Sequence, residues 1–199
     1  MREQSHALDL LVGETPPRAD ATRNLAKLLA ATKQFVLAGN INPSAAQIAE
    51  AAEVGVGTLY RRTLGKEALL AAAVIDLLDE VCQDAYSPQT TRTWQDFEEF
   101  ALRYLTIREV TCSITHSLDD EFDGGVTESK QRTRTAFEHL TRRLHDARLL
   151  APEVDAADLM VTLASIDITD DTLGLAPDPT RRQRVALRML ASLRAPTEQ

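Results

Sequence analysis

The sequence lacks long apolar runs. Within its 199 residues, none approaches the roughly 18 consecutive apolar residues that a membrane-spanning helix needs. The first residues, MREQSHALDLLVGETPPR, hold only a short apolar patch that Asp9 interrupts, which is not the pattern of a secretory signal peptide. We therefore expect a cytoplasmic protein that has no membrane partner.

Cysteine is scarce as well. Cys82 and Cys112 are too few for a disulfide framework or a cysteine-based metal cluster, and both lie in helical patterns, where buried free thiols are common. His116 and the acidic residues between 119 and 123 come nearest to a metal cluster, but carboxylates in front of a glycine loop are usually solvated. The chain also lacks a recognisable nucleophile–base–acid arrangement. We expect no metal, no cofactor and no enzymatic activity.

Hairpin signals and repeats are missing too, and almost every segment has the helical period, which predicts an all-α protein of about nine helices. Residues 1–18 are expected to form a flexible leader and 195–199 a frayed tail. The first helix is expected to stop at Gly39-Asn40, and a capping box of Ser44 and Gln47 begins the second. A short helix over 56–64 and a long one from Lys66 to just before Ser87-Pro88 follow, and then a fifth helix from Trp94 and a break at Gly124-Gly125. A seventh helix is expected over 128–150, an eighth to Gly174 and a last one from Asp178-Pro179 through Leu193.

Charge divides the chain into two parts. The formal net charge is −8, but residues 18–66 carry 7 basic and 3 acidic side chains, a net of +4. Residues 67–199 carry 14 basic and 24 acidic side chains, a net of −10. A small basic head is therefore joined to a larger acidic body, and the head is the part that suits a polyanion.

Residues 55–66, GVGTLYRRTLGK, combine two kinds of phosphate-binding feature: glycines and paired arginines. A dinucleotide fingerprint would place a glycine where Tyr60 stands, and a P-loop would place serine or threonine where Glu67 stands. Both nucleotide interpretations fail. Two short helices separated by the three-residue turn 53–55 have the dimensions of a helix-turn-helix instead. The segment therefore predicts contact with the phosphates of DNA.

The second of these short helices carries residue types that suit the major groove on one side: Val56, Thr58 and Arg61. Leu59 lies on the opposite side and is expected to pack inward. Gly55 and Gly57 keep the start of the helix slim, so its backbone can approach a groove closely. Tyr60 and Lys66 are suited to phosphate contacts, and Lys66 lies at a helix start, where free N–H groups add to the attraction.

Residues 48–62, IAEAAEVGVGTLYRR, followed by KEALL at 66–70, resemble the DNA-binding signature of TetR-type transcriptional regulators. The sequence-specific match covers about residues 20–80. The resemblance implies a three-helix, helix-turn-helix head over 19–66 and a helical body over 67–195 that binds an effector and dimerises. The DNA-binding residues that it implies are Ser44, Gly55, Val56, Gly57, Thr58, Tyr60, Arg61 and Lys66.

Three residues depart from the pattern of this family. Glu53 stands at a turn position that is usually a left-handed glycine, at a cost of about 1 kcal/mol. Gly55 stands where a serine often caps the recognition helix, and such a cap is worth about 1 kcal/mol. Thr63 replaces an aromatic residue that packs under the helix, and Leu64 substitutes for it only if the helix end rotates. These departures leave weakened DNA binding open.

Four aromatic residues of the body are candidates for an effector pocket between helices, although plain core has the same spacing: Phe97, Phe100, Tyr104 and Phe137. Asp167, Asp170 and Asp171 interrupt the eighth helix, where buried acids would select a cationic effector and exposed acids would not. The resemblance implies that the last two helices pair with a second copy, through Leu159, Leu163, Ile166, Met189, Leu190 and Leu193.

These features together predict a ligand-responsive, sequence-specific transcriptional regulator that binds a double-stranded DNA operator as a homodimer. A repressor that a small-molecule effector releases from a palindromic operator is the leading hypothesis, with activation left open. The alternative is an all-α dimeric ligand-binding protein whose head has weakened or lost DNA binding.

Overall fold

The structure is a computed structural model that describes residues 6–12, 19–115, 123–166, 174–176, 178 and 180–196. Within these ranges the protein is all-α, as predicted, and its only β-type pairing is the isolated bridge between Leu150 and Arg194. None of the described helices is long and apolar enough to traverse a bilayer. The helices are α1 (His6–Val12), α2 (Ala19–Leu37), α3 (Ala45–Ala51), α4 (Val56–Arg62), α5 (Lys66–Tyr86), α6 (Trp94–Thr115), α7 (Asp123–Asp146), α8 (Ala156–Ala164) and α9 (Arg181–Ala191), with a 3₁₀ turn at Pro88–Thr91.

The ends of three helices share one backbone arrangement. After α2, two backbone hydrogen bonds close the last turn around Gly39, whose φ is +81°. The same pair of bonds closes α3 around Glu53 and α7 around Arg148, and both of these residues have a φ of +55°. Because this left-handed conformation favours glycine, α3 and α7 each end on a residue that is strained there.

The segment predicted to be a flexible leader contains helix α1. Ala7 and Leu11, one helical turn apart, are buried, and α1 packs against α2. The apolar patch that Asp9 interrupts is therefore long enough to order a short helix, because only one side of the helix needs to be apolar.

The predicted break at Gly124-Gly125 is wrong, because both glycines lie in the first turn of α7. A Cβ atom on Gly125 would lie 3.2 Å from Cδ1 of Ile75 and 3.9 Å from Cδ1 of Leu10. The glycine is thus explained by close packing and does not interrupt the helix. Helix α7 also stops at Asp146, four residues before the predicted end.

The last helix begins at Arg181, three residues later than predicted. The backbone N–H and the hydroxyl of Thr180 both donate to Oδ1 of Asp178, at 2.9 and 2.8 Å, and this local turn occupies the residues that were expected to open the helix. Helix α8 ends at Ala164, and residues 167–173 of the predicted eighth helix lie outside the described residues.

The chain folds as two compact units, residues 1–80 with 107–131 and residues 81–106 with 132–199. This grouping is not the one drawn at residue 66 from the sequence. The first unit includes the greater part of α5, whose residues 68–75 are all buried. Burial on nearly every side explains why α5 packs as part of the same unit as the head.

The second unit is fastened by contacts between residues far apart in the sequence. Arg143 of α7 donates to the carbonyl oxygens of Ala85, Tyr86 and Ser87, at 3.3, 3.0 and 2.9 Å, and to Oγ1 of Thr91. A cation placed there satisfies the carbonyls at the C-terminus of α5. The N–H of Ala195 donates to the carbonyl of Leu149 at 3.0 Å, so the predicted frayed tail is paired at its first residue.

Candidate nucleic-acid interface

The head contains a three-helix core. Helix α2 packs against α3 and α4, and α3 packs against α4. The largest side chains that these helices bury, at 2% exposure or less, are those of Leu25, Leu28, Ile48 and Leu59. Because Leu59 anchors α4 to the core, the opposite side of this seven-residue helix faces outward, as the sequence predicted.

The turn between α3 and α4 contains the strained Glu53. Its φ of +55° confirms the left-handed conformation expected at this position, where glycine would be unstrained. The carboxylate is largely exposed, and its Oε2 lies 3.8 Å from Nζ of Lys27 in α2. An exposed pair at this distance contributes little stability, so no strong interaction compensates for the backbone strain.

Helix α4 begins without a side-chain cap. Its N-cap residue is Gly55, which has no side chain to accept a hydrogen bond, and the N–H of Thr58 donates to the carbonyl oxygen of Gly55 at 2.8 Å. The backbone at Gly55, with φ −69° and ψ 141°, is in the extended region that a serine cap adopts. The missing capping bond inferred from the sequence is therefore missing in the structure as well.

The outward side of α4 presents four of the predicted DNA-binding residues together. Val56 is 41% exposed and Tyr60, one turn further on, is 61% exposed. Gly57 lies between them along the chain, and a Cβ atom on it would meet nothing within 4 Å. Arg61 is exposed, and its Nε donates to the carbonyl oxygen of Gly57 at 2.9 Å. Thr58 is only partly exposed.

Ser44 caps the start of α3 as predicted. Its Oγ accepts a hydrogen bond from the N–H of Gln47 at 3.2 Å, and its own N–H donates to Oε1 of Gln47 at 2.8 Å. Both bonds of the capping box are therefore present. Because the hydroxyl oxygen is the acceptor, the hydroxyl hydrogen of this exposed serine can still donate to a phosphate.

Lys66, at the first position of α5, is held by a residue that the sequence analysis did not include. Its Nζ donates to Oδ1 of Asn42 at 2.6 Å and lies 3.8 Å from Oε1 of Glu67. Asn42 belongs to the loop before α3 and is 24 residues away in the sequence, so no local pattern indicates the contact. It orients the ammonium group that was predicted to bind DNA phosphate.

Thr63 closes the end of α4 by hydrogen bonding, at the position where the resemblance implied an aromatic residue. It is buried, its hydroxyl donates to the carbonyl of Leu59 at 3.0 Å, and it accepts from the N–H of Gly65 at 3.2 Å. Leu64 is 69% exposed and does not replace the aromatic residue. The junction between α4 and α5 is thus polar and satisfied.

One of the basic residues counted in the head faces inward. Nζ of Lys33 lies 2.5 Å from Oδ2 of Asp76 and 2.5 Å from Oε1 of Glu80. Burial lowers the pKa of this ammonium, but hydrogen bonds and charge attraction from the two carboxylates outweigh burial and raise it above 10.5. Lys33 therefore fastens α2 to α5, and its charge is neutralised locally.

The four aromatic residues proposed for an effector pocket pack in the second unit: Phe97, Phe100, Tyr104 and Phe137 are at most 9% exposed. The ring centroid of Phe137 lies 5.8 Å from that of Phe100 and 4.9 Å from that of Tyr104. These ring contacts are those of a packed aromatic core. The effector pocket remains a prediction.

The residues predicted for the dimer interface need correction. Leu159, Leu163, Ile166 and Leu190 are at most 5% exposed within a single chain, so a second copy cannot cover them. Met189 and Leu193 are partly exposed. The helical period correctly predicts that Leu159, Leu163, Ile166 and Leu190 are buried, but the residues that bury them belong to this chain. The large apolar residues that α8 and α9 leave exposed are Val161 (64%) and Val185 (40%).

The acidic clusters considered in the sequence analysis lie largely outside the described residues. This holds for 116–122, for the side chain of Asp123 and for Asp167, Asp170 and Asp171. In the parts of the chain that the structure describes, no group of three or more metal-ligating side chains is found.

The fold and the outward side of α4 define a class of protein: an all-α chain with a helix-turn-helix head. No protein-family model matches the sequence, and no curated protein matches it either. Solved structures do match. A TetR transcription regulatory protein from Mycobacterium vanbaalenii is 22% identical with a TM-score of 0.65, over 90% of this chain and 100% of that one.

Two further structures agree. A TetR transcriptional regulator from Streptomyces coelicolor is 21% identical with a TM-score of 0.63, over 87% of this chain and 99% of that one. A putative TetR-family regulator from Vibrio parahaemolyticus is 15% identical with a TM-score of 0.52, over 86% and 98%. The chain has the TetR fold, which confirms at the level of architecture the resemblance found in the sequence.

Proposed function

We propose that the protein is a ligand-responsive transcriptional regulator that binds double-stranded DNA sequence-specifically. The observation that carries the proposal is the outward side of α4, where Val56, Gly57, Tyr60 and Arg61 are presented by a helix whose other side is anchored through the fully buried Leu59. The TetR fold supports the assignment of this surface to the major groove. We also propose that the protein works in the cytoplasm.

Two anchors flank this helix along the chain. Ser44 begins α3 with a hydroxyl that can donate, and Lys66 begins α5 with an ammonium group that Asn42 orients. Donors at these positions are suited to the DNA backbone on either side of the groove that α4 enters. Gly55 and Gly57 contribute no side chains beside Val56 at the start of α4, so its backbone can also come close to phosphate.

A homodimer follows from the small size of the recognition element. A helix of seven residues buries little surface, whereas two copies one helical turn of DNA apart can bind a palindrome. The corrected interface would be built around the exposed Val161 of α8 and Val185 of α9, with the partly exposed Met189 and Leu193 at its edge.

Effector control would act through α5. The helix begins with Lys66 in the first unit and ends in the second, which holds the aromatic residues proposed for the effector pocket. A small molecule that favours a different placement of α5 would lower operator affinity, and by linkage the operator would lower effector affinity equally. We propose that the protein is a repressor and that the effector releases it from the operator.

The proposal is tested by selecting bound sequences from a pool of random duplex DNA, followed by titrations at several salt concentrations. We expect enrichment of a palindrome whose half-sites lie about 34–36 Å apart or a multiple of that distance, with affinity that falls steeply as salt rises. Lys66→Met should reduce the salt dependence by about one counterion per subunit. A complete lack of preference for any sequence at every salt concentration would refute the proposal.

A second candidate, an all-α dimeric ligand-binding protein with a weakened head, is favoured by the strained Glu53 and the uncapped Gly55. Glu53→Gly removes both the strain and a negative charge on the turn. Arg148→Gly is the matched control, since Arg148 has the same φ of +55° at the end of α7. A large gain in DNA affinity for Glu53→Gly alone would support the weakened head, and little change would support a working regulator.

A further inference from the structure

The exposed residues of α4 also indicate which bases they can recognise. Besides Tyr60, which suits the phosphate backbone, the surface offers two side chains of opposite chemistry, the wholly apolar Val56 at the first position of the helix and the cationic Arg61 five residues later. Gly57 contributes no side chain, and Thr58 is only partly exposed. This inference rests on the proposed function, because it takes α4 to be the helix that enters the major groove.

Val56 can discriminate between bases only by apolar contact. It has no hydrogen-bonding group, yet 41% of its surface is exposed on the outward side of the head. In the major groove the one apolar base feature is the C5-methyl group of thymine. A valine at this position therefore complements a thymine and gains nothing from the polar edges of the other bases.

Arg61 is oriented by its own helix. Its Nε donates to the carbonyl oxygen of Gly57 at 2.9 Å, which leaves the two terminal nitrogens of the guanidinium at the outer end of the side chain. Among the described residues no carboxylate forms an ion pair with Arg61. Two parallel N–H donors match O6 and N7 of guanine, the commonest specific contact of arginine in the major groove.

We propose that each operator half-site contains a thymine recognised through its methyl group by Val56 and a guanine recognised by Arg61. The two residues are five positions apart on α4, which is about 7.5 Å along the axis. Five positions are also about 140° around the helix, so the two side chains leave α4 in different directions and contact two different base pairs.

The test of the thymine contact is a cycle of protein and DNA changes. On the selected operator, deoxyuridine in place of that thymine removes only the methyl group. We expect affinity to fall about fourfold per half-site for the wild-type protein, which corresponds to about 0.8 kcal/mol for one buried methyl group. Val56→Ala should bind the two DNAs equally, whereas Leu37→Ala, which truncates an aliphatic residue of similar exposure at the end of α2, should keep the fourfold difference.

The guanine contact is tested with two base analogues. 7-Deazaguanine lacks N7, whereas hypoxanthine keeps O6 and N7 and lacks only the minor-groove amino group. We expect about a tenfold or larger loss with 7-deazaguanine and little loss with hypoxanthine. Arg61→Ala should bind both analogues as it binds guanine, while Arg23→Ala, which removes an exposed arginine of α2, should still distinguish them.

The outcomes separate this inference from the proposed function. If no sequence is enriched, the proposed function fails. If an operator is enriched but wild-type affinity is unchanged by deoxyuridine, or Val56→Ala shows the same loss as wild type, the thymine contact is overturned alone. If Arg61→Ala weakens binding to all sequences equally, Arg61 contacts phosphate and the guanine contact is overturned. Both side chains are exposed, so neither variant should change the stability of the fold appreciably.

Discussion

The two short helices of the head are equal in length and opposite in how they begin. Helices α3 and α4 both have seven residues, but α3 starts with both bonds of a capping box and α4 starts with an uncapped glycine. In addition, the turn that leads into α4 contains the strained Glu53. The helix that supports the fold is locally stabilised, whereas the helix that faces DNA in our proposal depends on its packing.

The dependence of α4 on packing leads to the largest expected effect. Leu59 is fully buried, and Leu59→Ala should lower the free energy of unfolding by about 2–5 kcal/mol. DNA affinity should fall with it, since Leu59 is the buried anchor of the exposed side of α4. Urea denaturation measures the loss, and Leu64→Ala is the control because Leu64 is 69% exposed. A loss of less than 1 kcal/mol would mean that α4 is held by something other than this anchor.

The capping box of α3 gives the next effect. Ser44→Ala should destabilise the protein by about 1 kcal/mol, because the N–H of Gln47 loses its acceptor. Ser44→Gly, which gives α3 the type of start that α4 has, should cost only a few tenths of a kcal/mol. Both values follow from thermal or urea unfolding. If neither variant loses stability, the hydroxyl of Ser44 contributes nothing and the contrast between the helices is only apparent.

Local features of the head were predictable from the sequence. The capping box needs only serine and glutamine three residues apart, and Leu59 follows from the helical period. The contact between Asn42 and Lys66 was not predictable, because it joins a loop to a helix start 24 residues away.

The body shows a different limit of sequence-based prediction. Leu159 and Leu190 lie on apolar stripes, and a stripe indicates burial without showing whether this chain or a second copy covers it. The break expected at Gly124-Gly125 failed for a similar reason, since close packing against Ile75 calls for the same residue as a helix end. Helix α1 was missed because its buried stripe consists of only two residues, Ala7 and Leu11, which are one helical turn apart.

The strained turn is expected to have a smaller effect. Glu53→Gly relieves about 1–2 kcal/mol of backbone strain, but glycine adds about 0.5–1 kcal/mol of chain entropy to be lost on folding. We expect a net gain of roughly 0.5–1 kcal/mol, measured by urea denaturation. Arg148→Gly should gain a similar amount because its φ is the same. A gain at Arg148 without one at Glu53 would show that Glu53 makes a compensating interaction, with Lys27 as the first candidate.

The smallest effect comes from giving α4 the cap it lacks. Gly55→Ser fits the extended backbone of the N-cap, and its Cβ would meet only Oγ1 of Thr58, at 3.8 Å. The new hydroxyl can accept from the N–H of Thr58, but it shares this donor with the carbonyl oxygen of Gly55, which lies 2.8 Å from the nitrogen. We expect a gain of a few tenths of a kcal/mol, measured as a raised urea midpoint, with DNA affinity unchanged or higher because the cap folds back onto its own helix.

Gly57→Ala is the informative comparison for that variant, since its Cβ would point into open space in the free protein. Alanine should stabilise the helix by up to about 1 kcal/mol, yet a methyl group on this outward side would separate the backbone of α4 from DNA. Stability should therefore rise while operator affinity falls. If operator affinity also rises, Gly57 has no role in bringing α4 close to the groove. The glycine then marks only the loss of a helix-stabilising residue at this position.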